Sequence, residues 1–170
     1  MKGHILIVED EVDLREILAS LLEEHADQLL QVGDGVEALE IIKNNRVHAI
    51  LTDINMPKKT GLQFLAEIRK AGIEIPVVIM SGYGDRVNTI EALRLGALDF
   101  FDKPVRETVL VEVMQRALKI GLGYEHLKSQ LEILSKRGEQ SPQSLQNWFD
   151  AKKSLYEMVV DQESWNKKNK

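Results

Sequence analysis

The residues in this chain whose types could do chemistry are mostly acidic, and they stand where short apolar runs end. Glu9 and Asp10 follow the first of five such runs, Asp53 follows the third, Ser81 the fourth and Lys103 the fifth. If the first and third runs are neighbouring strands, three carboxylates converge in one pocket. Like charges in a buried pocket repel strongly, so positive charge must be present.

Two sources of positive charge fit this set of side chains. Lys103 supplies one charge, and a divalent metal supplies the rest. Oxygen ligands without histidine or cysteine favour Mg²⁺ or Mn²⁺. A carboxylate beside such an ion and a lysine is a candidate nucleophile for phosphoryl transfer, which would make Asp53 an aspartyl phosphate. The metal, Lys103 and the Ser81 hydroxyl would then stabilise the phosphoryl oxygens.

The elements that must position these residues alternate between two periods along residues 1–120. The predicted strands are Ile5–Val8, Leu29–Val32, Ala49–Thr52, Ile75–Met80 and Leu98–Phe101. Between them lie stretches with apolar residues three and four positions apart, which is the helical period. Five strand–helix units predict an α/β fold with a parallel sheet. The first and fourth strands are nearly all apolar, which indicates cover on both faces and an open doubly wound sheet rather than a barrel.

Composition excludes several classes of protein. The 170 residues contain 22 basic and 27 acidic side chains, a net charge of −5, without the basic excess of a nucleic-acid binder. Cysteine is absent, so disulfides, thiolate metal sites and cysteine nucleophiles are excluded. The longest apolar run is too short to cross a membrane. We expect a cytoplasmic protein with no membrane or nucleic-acid partner.

Five segments, taken in order, resemble the receiver domain of two-component response regulators. The resemblance covers residues 3–118 and is carried by ILIVEDE at 5–11, DGVEAL at 34–39, LTDINMP at 51–57 with GL at 61–62, SGYG at 81–84, and GALDFFDKP at 96–104. It implies a flavodoxin-like sheet of strand order 2-1-3-4-5. It also implies phosphoryl transfer from a histidine kinase or a phosphotransfer protein, as in a phosphorelay.

The resemblance assigns roles to the residues at the metal site. Asp53 matches the phosphorylated aspartate. Glu9 and Asp10 match the acidic pair that positions Mg²⁺, and the backbone carbonyl of Asn55 matches a further metal ligand. Lys103 matches the ion-pair partner of the phosphoryl group, and its bond to the following proline is cis in the family.

The resemblance also assigns switch and lifetime residues. Ser81 matches the hydroxyl that binds the phosphoryl group, and Phe100 matches the aromatic side chain that turns inward with it. The switch surface would include Arg94, Leu98 and Phe100. Asn55 and Tyr83 occupy the two positions that tune autodephosphorylation, and we expect Tyr83→Ala to shorten the phosphorylated state.

Two other functions compete with this interpretation. A phosphohydrolase of the haloacid-dehalogenase type also uses an aspartate nucleophile, but its second aspartate would stand where Asn55 is, and its nucleophile usually follows the first strand. A receiver-fold scaffold that dimerises without phosphorylation usually lacks an acidic residue or the lysine, and this sequence retains them.

The last fifty residues carry a helical pattern, so we divide the chain into a receiver domain at 1–120 and a helical extension at 121–170. The heptad stripe consists of Leu110, Val113, Ala117, Ile120, Tyr124, Leu127, Leu131 and Leu134. One helix could run from Glu107 to Lys136, or Gly121 and Gly123 could end one helix and begin another. A last helix is expected to begin at Ser141-Pro142. The extension predicts a homodimeric coiled coil or a partner-docking segment, and the alternative is that the last helix folds back.

Overall fold

A computed structural model describes residues 2–82, 86–138 and 143. The five strands form one sheet in the order β2-β1-β3-β4-β5, and every neighbouring pair is parallel. The strands are β1 (His4–Val8), β2 (Gln28–Val32), β3 (Ala49–Asp53), β4 (Val77–Ser81) and β5 (Asp99–Asp102). The predicted fold class and strand order are therefore confirmed.

Helices connect the strands as the doubly wound topology requires. They are α1 (Val12–Leu22), α2 (Gly35–Asn44), α3 (Gly61–Lys70), α4 (Arg86–Arg94) and α5 (Glu107–Lys136), with a short 3₁₀ turn at Glu23–His25. Within the described part of the chain, no helix is both long enough and apolar enough to cross a lipid bilayer.

Two apolar layers hold the sheet, because successive strand residues point to opposite faces. Ile5 and Ile7 of β1 pack with α1 and α5 on one face. Leu6 and Val8 pack with α2, α3 and the α4 region on the other. Burial of the central strands β1, β3 and β4 on both faces explains their nearly continuous apolar sequences.

Local signals begin two of the helices next to the functional edge of the sheet. Asp34 caps α2 by accepting hydrogen bonds from the backbone N–H groups of Val36 (2.8 Å) and Glu37 (3.0 Å). Thr60 and Gln63 form a reciprocal capping box at the start of α3. These caps fix where the β2–α2 and β3–α3 loops end, and both loops lie at the carboxyl ends of the strands.

The two alternatives for the fifth helix are resolved in favour of one continuous helix, α5, of 30 residues. Gly121 and Gly123 lie inside α5, and neither of them ends the helix. A Cβ at Gly121 would lie 1.8 Å from the main-chain oxygen of His48, so a glycine is required by this close approach. Gly138, at φ +69°, follows the end of α5 as a left-handed glycine.

The residues of the heptad stripe do not all face one partner helix. The first part of the stripe is buried in the domain, and the second part is partly exposed. The early residues Leu110, Val113 and Ala117 are buried against the sheet and α1. After Gly121, every described side chain of α5 is at least partly exposed to solvent. The first half of the stripe is therefore core, because the sheet rather than a second helix covers it. The predicted linker and last helix lie outside the described residues, apart from Gly138 and Gln143.

Some boundaries and faces differ from the sequence prediction. Strand β4 begins at Val77 rather than at Ile75. Its ladder is already joined by the carbonyl of Pro76, which accepts from the Ile50 N–H at 2.9 Å. Val12 and Ile17 belong to the apolar set of α1, but both are more than half exposed, because they lie off the stripe that meets the sheet.

Candidate functional site

Three carboxylates meet where β1 and β3 end. The two strands pair in parallel, with Val8 opposite Thr52, so the residues that follow them lie side by side. One carboxylate oxygen from each of Glu9, Asp10 and Asp53 lies within 4.8 Å of the others. Glu9 and Asp53 are buried and Asp10 is exposed, so the site is open to solvent at Asp10.

Lys103 bridges the two buried carboxylates. Its Nζ lies 2.8 Å from Glu9 Oε2, to which it donates a hydrogen bond, and 3.2 Å from Asp53 Oδ1. The Lys103 backbone N–H donates to the Ser81 carbonyl at 2.7 Å, which fixes the lysine beside the end of β4. The bond from Lys103 to Pro104 is cis, as the resemblance implies.

Burial dominates the electrostatics of this cluster. Desolvation raises the pKa of Glu9 above its ordinary value, despite the opposing Lys103 contact. Desolvation likewise raises the pKa of Asp53, again against Lys103. Burial lowers the pKa of Lys103, but its contacts with Glu9 and Asp53 outweigh this and leave the pKa raised. The lysine is therefore firmly cationic, while the carboxylates carry more negative charge than one lysine neutralises.

The geometry of the cluster fits a hard divalent cation. Asp53 Oδ1 is buried, and apart from Lys103 Nζ at 3.2 Å it has no hydrogen-bond partner among the described residues. A buried carboxylate oxygen normally has such a partner. Together with the oxygen atoms of Glu9 and Asp10, it offers the all-oxygen donor set that Mg²⁺ prefers.

Ser81 and Phe100 lie on the neighbouring strands. Ser81 ends β4, is fully buried, and donates its hydroxyl hydrogen bond to the Gly82 carbonyl at 3.2 Å. Phe100 lies on β5 opposite Ile79 and is half-buried. The sheet thus brings Ser81 to the same edge as Lys103, while the Ser81 hydroxyl bonds to its own loop.

Of the two lifetime positions, Asn55 is among the described residues. Asn55 lies two residues beyond Asp53 in the β3–α3 loop and is exposed. Tyr83 lies outside the described residues. The sequence-predicted residues that converge are therefore Glu9, Asp10, Asp53 and Lys103, with Ser81 joined to Lys103 through the backbone.

Other residues around the site were not predicted from the sequence. Arg15 of α1 donates from Nη1 to the Glu9 main-chain carbonyl at 2.5 Å. Asp34, beyond capping α2, accepts a hydrogen bond from Lys58 of the β3–α3 loop at 2.6 Å. No local pattern in the sequence relates Asp34 to a lysine 24 positions away.

Comparison with known proteins places the chain in a family. The family model described as the response regulator receiver domain matches residues 5–115. The chain is 32% identical over 131 residues to the transcriptional regulatory protein CpxR homolog of Haemophilus influenzae, covering 77% of this chain and 57% of that protein. It is 28% identical over 165 residues to the response regulator protein TmoT of Ectopseudomonas mendocina, covering 93% and 75%. The chain thus spans little more than half the length of the first of these relatives.

Solved structures agree with the sequence relatives. The Francisella response regulator 1452 receiver domain superposes with a TM-score of 0.66 at 29% identity, over 69% of this chain and 98% of that one. The receiver domain of NtrX from Brucella abortus gives 0.64 at 36% identity, over 68% and 98%. Proteins of this kind act in two-component signal transduction and are not conventional enzymes. This chain belongs to the response regulator receiver family.

Proposed function

We propose that Asp53 accepts a phosphoryl group from a phosphohistidine of a histidine kinase or phosphotransfer protein. A carboxylate oxygen of Asp53 attacks phosphorus, the phosphorus–nitrogen bond breaks, and the departing imidazole nitrogen takes up a proton. The product is an acyl phosphate and a neutral histidine. The observation that carries this proposal is the convergence of the Glu9, Asp10 and Asp53 carboxylates, with Glu9 and Asp53 both paired to the partly buried Lys103.

Glu9, Asp10 and Asp53, with the backbone carbonyl of Asn55, would hold Mg²⁺ or Mn²⁺. When bound, the metal supplies charge neutralisation at the transferring phosphoryl oxygens. The chain's own contribution is to place Asp53 on a buried strand end, where the Oδ1 of its carboxylate has Lys103 as its one polar partner among the described residues. Lys103 holds Glu9 and Asp53 together before transfer and would ion-pair with the phosphoryl group afterwards.

Ser81 and Phe100 would convert phosphorylation into a change of surface. The Ser81 hydroxyl would leave the Gly82 carbonyl and donate to a phosphoryl oxygen. As the Ser81 hydroxyl moves, Phe100, which is half-buried on β5, would turn inward toward Ser81. The altered surface would include Arg94, Leu98 and Phe100. A switch of this kind requires a partner that binds the two states with different affinity.

The lifetime of the acyl phosphate would depend on Asn55 and Tyr83, which occupy the positions that tune it in receivers. We expect Tyr83→Ala to shorten the lifetime by admitting water to the acyl phosphate. A decay rate equal to that of the wild type, followed by intact mass, would contradict this assignment.

We propose that residues 1–120 are the phosphoacceptor domain and residues 121–170 an extension for homodimerisation or docking of a protein target. Support comes from the partly exposed second half of α5, which carries Tyr124, Leu127, Leu131 and Leu134. Sedimentation of the full chain before and after phosphorylation tests the dimer. The lack of a nucleic-acid partner stays a prediction, since relatives such as the CpxR homolog are named as transcriptional regulators.

The alternatives are less well supported. A scaffold without phosphorylation has no need for a buried pair of acids around a lysine, because such a cluster disfavours folding unless it binds something. For a phosphohydrolase, Asp53 lies on the third strand and Asn55 stands at the position of the second aspartate.

Intact mass after incubation with Mg²⁺ and acetyl phosphate tests the proposed function. We expect the wild type to gain one phosphoryl group, and Asp53→Asn to gain none. Omitting Mg²⁺ and adding a chelator should abolish the gain. Equal labelling of wild type and Asp53→Asn would overturn the assignment of Asp53. A folded wild type that gains no mass with several donors would favour the scaffold.

A further inference from the structure

The β3–α3 loop, residues 54–60, begins immediately after Asp53 and contains Asn55. Its two ends are joined, because the Gly61 N–H donates to the Ile54 carbonyl at 2.9 Å. A Cβ at Gly61 would lie 2.1 Å from the Asp53 carbonyl oxygen, so α3 begins directly against the end of β3. The ends of the loop are therefore fixed, and in its middle the Lys59 N–H donates to the Pro57 carbonyl at 2.6 Å. The contacts of Lys58 then decide how the middle of the loop is tied to the rest of the sheet edge.

Lys58, in the middle of the loop, contacts the β2–α2 loop. Its Nζ lies 2.6 Å from Oδ2 of Asp34, which belongs to the β2–α2 loop on the far side of β1. Lys58 also has a φ of +62°, a left-handed conformation that is unfavourable for a residue with a side chain. The backbone at Lys58 is thus held in a disfavoured region while its side chain reaches a second loop.

Asp34 is a fixed anchor for this contact. Its side chain is only 4% exposed, and its Oδ1 accepts hydrogen bonds from the backbone N–H groups of Val36 and Glu37. The Lys58 hydrogen bond and these backbone N–H groups lower the pKa of Asp34, so it is ionised at neutral pH. Both oxygens of the carboxylate are therefore used, one by the start of α2 and the other by Lys58.

We propose that Lys58 and Asp34 are a positioning pair for the metal site. By tying the β3–α3 loop to the start of α2, the pair holds the Asn55 carbonyl where it completes the set of Glu9, Asp10 and Asp53. This inference rests on the proposed function, because it presumes that the set binds a divalent cation. Neither residue would itself be a ligand of the cation.

Electrostatics alone predicts the opposite effect, which makes the inference testable. Lys58 is a cation in a loop next to a cation site, so removing its charge should strengthen metal binding if charge were its only influence. If Lys58 instead positions the loop, removing its side chain should weaken metal binding. The sign of the change in Mg²⁺ affinity therefore separates the two roles.

Lys59 provides a matched control. It is the next residue in the same loop and carries the same charge, but its Nζ pairs with Glu67 of α3 rather than with the β2–α2 loop. Lys58→Met and Lys59→Met change the net charge equally. Only Lys58→Met removes the ion pair between the two loops, because the Lys59 Cγ and main-chain carbonyl, which lie beside Gly35 at the start of α2, are kept in both variants.

The experiment measures Mg²⁺ dissociation constants on the full chain by NMR, from the shifts of the backbone amides around Asp10 and Asp53. We expect Lys58→Met to raise the dissociation constant about twofold to fivefold, the loss of an ion pair whose lysine is 63% exposed. Lys59→Met should leave it unchanged or lower it. A Lys58→Met constant equal to or below that of Lys59→Met would overturn the inference. A wild type that binds no Mg²⁺ would overturn the proposed function as well.

Two further variants distinguish the side chain from the backbone. Lys58→Gly suits the left-handed conformation but removes the contact, so we expect it to weaken Mg²⁺ binding as Lys58→Met does. Asp34→Asn keeps an oxygen for capping α2, and combining it with Lys58→Met should weaken binding no further than Lys58→Met alone. Wild-type affinity in Lys58→Gly, or losses that multiply in the double variant, would overturn the positioning role.

Discussion

Gly121 of α5 packs against the main-chain carbonyl of His48, at a distance that leaves no room for a side chain. Since a Cβ there would lie 1.8 Å from the carbonyl oxygen, Gly121→Ala must push α5 away from the start of β3. We expect this variant to lower the free energy of unfolding by about 2–3 kcal/mol through overpacking. Urea unfolding followed by circular dichroism measures the change.

Gly123 is the control for that prediction. It lies on the same helix, and a Cβ there would meet none of the described residues within 4 Å. Gly123→Ala should raise the free energy of unfolding by about 0.5–1 kcal/mol, because alanine favours the helix. Equal effects of the two substitutions would show that helix propensity, rather than the contact with His48, explains Gly121.

Removing the lysine from the carboxylate cluster should destabilise the protein at neutral pH. Lys103→Met leaves Glu9 and Asp53 buried without their cation, and we expect a loss of about 1–3 kcal/mol in the free energy of unfolding. Adding Asp53→Asn to Lys103→Met should restore part of this loss. Stability losses that simply add in the double variant would contradict the coupling.

The raised pKa of Asp53 predicts how stability depends on pH. The unfolded chain has a pKa near 3.8 at this residue, and burial raises the pKa in the folded state. The folded state therefore binds more protons between the two values, and its stability falls as pH rises through that window. Asp53→Asn should be more stable than the wild type at pH 7, and this difference should vanish below pH 3.8. Thermal unfolding across pH, without metal, tests the sign.

A second pH dependence, of the opposite sign, is expected where α5 leaves the sheet. His48 Nδ1 accepts from the His4 N–H, so Nε2 carries the proton and donates to Glu125 at 2.9 Å. This contact lowers the pKa of Glu125, so its contribution is present above pH 4.5 and is lost as pH falls through the lowered value. Because Glu125 is 44% exposed, we expect Glu125→Gln to cost only about 0.5 kcal/mol at pH 7.

Amide hydrogen exchange along α5 is the sensitive measurement for the Glu125 prediction. Faster exchange in Glu125→Gln at neutral pH, with no difference from wild type in acid, is the expected result. Glu132→Gln is the control, because it removes the same charge from an exposed position on the same helix. Equal exchange in the two variants would mean that helix charge, and not His48, is responsible.

Much of the fold and the cluster of acids could be predicted because both follow from local patterns. Glu9, Asp53 and Lys103 stand at strand ends, and parallel strands place their carboxyl ends at one edge of the sheet. What could not be predicted depends on contacts between distant segments. From the sequence alone, Gly121 could mark the end of a helix. In the structure it is required by the close approach of His48, which is far away in sequence.

The loop contacts illustrate the same limit. Nothing in the sequence around Lys58 indicates Asp34, since the two are joined only when β1 lies between β2 and β3. The apolar period of α1 was clear, but the period alone does not separate Leu18, which is buried, from Ile17, which is 56% exposed. Tertiary packing, rather than local sequence preference, determines which of two neighbouring apolar residues is buried and which loops are joined.

The continuity of α5 also has a mechanical consequence. From Gly121 to Lys136 the helix runs about 22 Å past its last buried residue, at 1.5 Å per residue. Since this segment and the buried half of α5 are one rod, a tilt of about 5° at the sheet displaces the far end by about 2 Å. The exposed half of α5 therefore amplifies small rotations of the helix about the contact between Gly121 and His48.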